Sequence, residues 1–91
     1  MLPVIWSPIA RAKLKLIIQY IAERSPSAAA ALHAELVDTT NRLPHHPLLY
    51  RRGKMPGTRE IVVHHHYIIV YRLRTTYIEI LSVLHARQQY P

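Results

Sequence analysis

The chain has 91 residues, enough for one domain over 1–91 with a modest core, and too few for a second domain or a deep enclosed cavity. An apolar share of 49% argues against disorder, and the absence of cysteine excludes disulfides and thiolate metal sites. Twelve Lys and Arg against five Asp and Glu leave a net charge of +7, which favours a polyanionic partner: nucleic acid, an acidic protein or a membrane surface.

No apolar run approaches the ~20 residues that span a bilayer, and the opening MLPVIWSPIARAK lacks the basic-then-apolar order of a signal peptide. A soluble, cytoplasmic protein without a membrane partner is expected. Residues 3–6, PVIW, read as a short strand. Ser7-Pro8 then supplies a cap and a first-turn proline, whose missing N–H would be unpaired there anyway. Ala10, Leu14, Ile17 and Ile21 recur at helical spacing, which predicts a helix over 8–24. Arg11, Lys13 and Lys15 lie off that stripe and read as a solvated face, without the spacing of a DNA-reading helix-turn-helix. Ser25-Pro26 repeats the start signal. Ala29, Leu32, Leu36 and Leu43 share a face, Asp38 and Arg42 make an i,i+4 pair, and Pro44 ends a second helix over 25–43. So short a link folds the two helices into an antiparallel hairpin.

The stretch 44–57, PHHPLLYRRGKMPG, holds three prolines and both glycines and reads as a loop. Arg51, Arg52 and Lys54 make it the best polyanion patch in the chain, unless it is merely a disordered basic loop. Three segments rich in Val, Ile and Tyr follow, 58–63, 67–74 and 77–84, and their short links force an antiparallel meander. Both faces of the second are apolar, which makes it a central strand. In the third, Ile78, Ile80, Ser82 and Leu84 alternate with Tyr77, Glu79, Leu81 and Val83. The helix hairpin is expected to cover one face of this sheet, giving an α+β fold.

His64, His65 and His66 fall where the first two meander strands must turn. Neighbours in an extended chain point to opposite sides, so three consecutive histidines do not converge on one ion. His64 and His66 have the i,i+2 spacing of strand ligands but no evident third partner. A hairpin tip is expected, with no metal and no cofactor. Other ionisable residues carry two readings each. Arg59 is either functional or a strand charge paired across to Glu79. Arg72 anchors a partner or hydrogen-bonds a loop. His85 is a packed histidine satisfied by backbone, or an acid/base group. Tyr90 docks on the core or serves a site.

The stretches WSPIARAKLKLIIQYIAERSPSAAAALHAEL and PGTREIVVHHHYIIVYRLRTTYIEILSVLHARQQYP resemble the opening and closing halves of the ParE/RelE superfamily of bacterial toxins. Gly57 to Glu60, Tyr67 to Arg72 and Val83 to Arg87 are the most family-like pieces. The resemblance implies the toxin of a type II toxin–antitoxin module, held in a hetero-oligomer by a cognate acidic antitoxin that folds as it wraps the toxin. Two mechanisms occur on this fold: ParE-like members poison DNA gyrase, and RelE-like members cleave mRNA on the ribosome without a metal. Cleavage needs a base, an acid and cations at one phosphate. Arg59, His85, Arg87 and Tyr90 are the candidates for it, but Ile61 and Ile68 stand where RelE has lysine and arginine. The leucine-histidine-x-arginine ending and the long alanine-rich second helix resemble ParE more closely. Gyrase poisoning is therefore the expected function, with ribosome-dependent RNA cleavage as the alternative; the chain is an enzyme only in the second case. Arg51, Arg52, Lys54 and Arg72 are the expected target or antitoxin contacts. A basic nucleic-acid-binding module without toxicity is a further alternative, although RNA-stacking aromatic motifs are missing.

Overall fold

Both helices begin at a serine followed by proline. In the computed structural model, which describes residues 1–87, Ser7 caps α1 (Pro8–Ala22) and Ser25 caps α2 (Pro26–Arg42). Ser7 Oγ accepts from the Ala10 amide at 3.0 Å and Ser25 Oγ from the Ala28 amide at 3.2 Å. Each cap satisfies an amide that has no partner within its helix. The helices end one or two residues sooner than their stripes suggest, and α2 runs into a 3₁₀ turn, Leu43–His45. The expected stripes are the inward ones. Ala29, Leu32, Leu36 and Leu43 are buried, as is Ala10, with Leu14, Ile17 and Ile21 packed on the same core. The Asp38–Arg42 pair forms at 3.3 Å on the exposed surface.

Strand β1 (Val4–Trp6) precedes the helices; β2 (Arg51–Arg52), β3 (Thr58–Val63), β4 (Tyr67–Leu73) and β5 (Ile78–His85) follow them. The sheet order is β1-β5-β4-β3-β2, with β4 central and β3–β4–β5 an antiparallel meander, as the sequence predicts. Two pairings go beyond that reading. β1 lies parallel to β5, with Val4 opposite Ile78 and Trp6 opposite Ile80, so the sheet is mixed. β2 pairs antiparallel with β3 inside the stretch read as loop; two residues are too few to carry a period.

The strict alternation expected for β5 does not hold along its whole length. Val70 faces Ser82 but Tyr71 faces Ile80, which leaves Leu81 as an extra residue in a bulge. The bulge keeps Ile78, Ile80 and Val83 on the helix side and turns Leu84 to the other. The main core thus holds Ile61, Val63, Ile69, Tyr71, Ile78, Ile80 and Val83 under the helices. A smaller cluster of Ile68, Val70 and Leu84, with Leu81, forms on the opposite face.

Tyr71 sits at the centre of the main core, fully buried. Its hydroxyl donates to the Pro47 carbonyl at 2.5 Å, and its ring meets Tyr50 edge-on at 6.4 Å. Burial pushes its pKa up to about 12; the Arg59 charge pulls against this and Tyr50 adds to it.

Candidate functional site

The basic stretch 44–57 is pinned to the sheet rather than loose. Tyr71 holds Pro47, and Arg59 Nη1 donates to the Tyr50 carbonyl at 2.7 Å and to the Leu48 carbonyl at 3.3 Å. Thr58 Oγ1 donates to the Met55 carbonyl at 2.6 Å, and the Gly53 amide donates to the Thr58 carbonyl at 2.8 Å. A Cβ at position 53 would run into the Thr58 side chain, and Gly57 has φ of 78°, in the left-handed region. Both glycines are therefore needed for this turn.

The four expected contact residues gather at this end of the sheet. Arg51 Nε meets Glu60 Oε1 at 2.8 Å, and Glu60 is only 6% exposed, with Oε2 lacking a hydrogen-bond partner among the described residues. Arg52 is exposed and lies directly opposite Arg59. Lys54 is exposed in the following turn. Arg72 lies opposite Thr58, and its Nε would stand 3.8 Å from a Cβ placed on Gly57. Arg52, Gly57, Thr58 and Arg59 line a shallow hollow of about 240 Å³. Arg59 does not reach Glu79. The strand order puts β4 between them, and Glu79 instead takes Arg74 at 2.9 Å.

The other acid/base candidates lie elsewhere. His85 stacks on His66 at 5.9 Å and meets Tyr67 edge-on at 5.4 Å. Its Nδ1 accepts from the Arg87 amide at 3.1 Å, and Arg87 is exposed. Tyr90 lies outside the described residues. Arg59 shares a sheet row with Tyr71 and Ile80, whereas His85 shares one with Val63 and Tyr67. Those rows are four residues apart, about 13 Å along the strands at ~3.3 Å per residue. The described RNase candidates are thus split between opposite ends of the sheet.

The three histidines form the β3–β4 hairpin tip. His64 and His65 take left-handed φ values of 54° and 61°, and His64 Nδ1 lies 3.2 Å from Glu35 Oε2 on α2. No set of three His, Asp or Glu among the described residues is placed to hold a metal.

A second feature escaped the sequence reading. Ile9, Leu16 and Tyr20 form an exposed apolar row on α1, at 65%, 66% and 59% exposure. Two clefts run between this row and the sheet. One, of about 310 Å³, has Ile9, Val70, Leu81 and Leu84 in its walls and Lys13 and Arg72 at its rim. The other, of about 360 Å³, is lined by Leu16, Ile17, Tyr20, Tyr67 and His85. Lys13 Nζ donates to Ser82 Oγ at 3.1 Å, and the Arg24 guanidinium lies 4.1 Å over the Tyr20 ring. The available signal was the spacing of seven and four between Ile9, Leu16 and Tyr20, a second helical stripe beside the core one.

No helix among the described residues is long and apolar enough to cross a membrane. Residues 4–90 match the model of the family described as ParE toxin of type II toxin-antitoxin system, parDE. The sequence is similar to a Sinorhizobium fredii (strain NBRC 101917 / NGR234) protein named "Putative toxin Y4kP", with 38% identity over 87 residues covering 94% of this chain and 90% of the relative. The fold is similar to a solved chain described as the chromosomal ParDE TA system from P. aeruginosa. The TM-score is 0.83 at 20% identity, over 93% of this chain and 96% of that one.

Proposed function

We propose, because this chain belongs to the ParE toxin family of type II toxin–antitoxin systems, that it arrests growth by poisoning DNA gyrase in the cytoplasm and that a cognate acidic antitoxin silences it. The observation that carries the choice of target is the separation of Arg59 from His85 by four sheet rows and two strands. RNA cleavage needs proton donor, proton acceptor and cation around one phosphate, and a misplacement far smaller than this removes the advantage of proximity. Ile61 and Ile68, where the RNA-cleaving relatives carry lysine and arginine, contribute only apolar surface. A poison has to bind and not to react, and a cationic sheet edge beside apolar clefts suits that task.

The same surface supports neutralisation. Neither cleft flanking α1 has a carboxylate in its lining, while Lys13 and Arg72 rim the first and Arg24 covers Tyr20 near the second. An acidic amphipathic segment would bury its apolar side there and meet cations at the rim, gaining both apolar burial and electrostatic steering.

Expression of the chain alone, at confirmed soluble levels, is expected to stop growth, and co-expression with its antitoxin to restore it. Purified chain incubated with gyrase and plasmid is expected to trap cleavage complexes or abolish supercoiling. Unaffected gyrase together with ribosome-dependent mRNA cuts would replace this reading with RNA cleavage. Normal division would leave a nucleic-acid-binding module without toxicity.

A further inference from the structure

We infer that the hollow framed by Arg52 and Arg59 over Gly57 and Thr58 binds a phosphate group, and that its natural source is the backbone of duplex DNA. This goes beyond the choice of poisoned enzyme and stands whichever target is correct. The first observation is a like-charge pair. Arg52 and Arg59 are directly opposite in an antiparallel ladder. The adjacent position carries the Gly53–Thr58 backbone hydrogen bond. The arginines therefore occupy the non-bonded position, where Cα atoms approach to about 4.5 Å and side chains are closest. Two cations so placed repel and destabilise the sheet.

The second observation is that nothing among the described residues cancels this charge. Arg59 is held by the Leu48 and Tyr50 carbonyls, which fix its direction without neutralising it. Arg52 has no hydrogen-bond or ion-pair partner among the described residues. The nearest carboxylate along the strands, Glu60, is already engaged by Arg51. An anion between the two guanidiniums would turn the repulsion into attraction, and the planar donor fork matches a phosphate's paired oxygens. Gly57, with its positive φ and no side chain, leaves the hollow open.

The third observation separates nucleic acid from acidic peptide. No apolar side chain lines this hollow, whereas the apolar clefts lie along α1. A peptide would gain little burial here. A polymer of repeated phosphates would gain more, since Lys54 follows Arg52 in the next turn, while Arg72, on the other face of the sheet, comes close to the Gly57 side of the hollow.

The test measures binding of the full chain to a labelled DNA duplex by fluorescence anisotropy over a series of salt concentrations. Arg52→Gln is compared with Lys15→Gln, which removes the same charge from exposed α1 surface. Arg52 makes no internal contact that the fold depends on, and melting curves of both variants confirm folding. Arg52→Gln is expected to weaken binding at least about fivefold and to lower the slope of log K against log salt by about one, as for one lost phosphate contact. Lys15→Gln is expected to leave the slope unchanged. Arg59→Lys keeps the charge but loses the fork, and is expected to weaken binding with the slope retained. Equal effects of Arg52→Gln and Lys15→Gln would overturn the site. So would absent duplex binding combined with inorganic phosphate shifting the Arg52 and Arg59 side-chain NMR signals, which would assign the hollow to free phosphate. Displacement of the duplex by poly-glutamate at lower concentration than by unlabelled DNA would overturn the choice of nucleic acid.

Discussion

Replacing Tyr71 with phenylalanine separates two effects of one buried hydroxyl. At pH 8 the change removes the hydrogen bond to the Pro47 carbonyl and leaves that acceptor short of a partner, a loss of about 1–2 kcal/mol. Alkaline pH then acts on the wild type alone. Its phenol titrates at an ordinary 10.0 when unfolded but at about 12 when folded, because ionisation in the core is opposed by burial. Between these values the unfolded state gives up a proton that the folded state keeps. Stability from this group is therefore intact below pH 10 and drains away as pH rises toward 12, by about 1.4 kcal/mol per unit within the window. The remaining tyrosines are common to both proteins and cancel in the difference. Urea unfolding at pH 8 should thus find the wild type more stable by about 1–2 kcal/mol. At pH 11 that advantage should shrink by about 1.4 kcal/mol, so that the curves nearly coincide. A gap that stays constant from pH 8 to pH 11 would refute the claim that the Tyr71 phenol is held neutral by its burial.

Two further substitutions probe the packing and the backbone. Leu36→Ala empties a fully buried site between α2 and the sheet; it should lower unfolding free energy by about 2–5 kcal/mol in urea titrations at unchanged m, and a smaller loss would mean that the hairpin collapses onto the gap. His65 occupies left-handed backbone at the hairpin tip. His65→Gly should raise stability by about 0.5 kcal/mol and His65→Val lower it by about 1 kcal/mol or more, since a branched side chain fits that region worst. Equal melting temperatures for the two would remove the strain from the account.

The sequence was most informative where one physical signal repeats along the chain. Ser7-Pro8 and Ser25-Pro26 mark helix starts because the proline removes one orphaned donor and the serine hydroxyl satisfies another, and both caps are made. Leu32, Leu36 and Leu43 are core because helical period admits only one inward stripe. Signals that depend on distant partners were hidden. The parallel pairing of β1 with β5 joins residues more than 70 positions apart and leaves no local trace. The bulge at Leu81 reverses the facing of Ser82 and Leu84, which strict alternation cannot foresee. The cationic candidates Arg51, Arg52 and Lys54 were visible as a cluster. Their nearness to Arg59 and Arg72, and the distance of His85 from all of them, followed only from the strand order.

The parallel seam between β1 and β5 also constrains when, during synthesis, the sheet can close. β5 fills the slot between the first strand and β4, and α1 rests on it, so without it the first strand has no neighbour and α1 loses the strand beneath it. During synthesis those residues emerge after every other strand and both helices. A chain that stops short of β5 therefore leaves the sheet open, and the fold closes only once the last strand has left the ribosome.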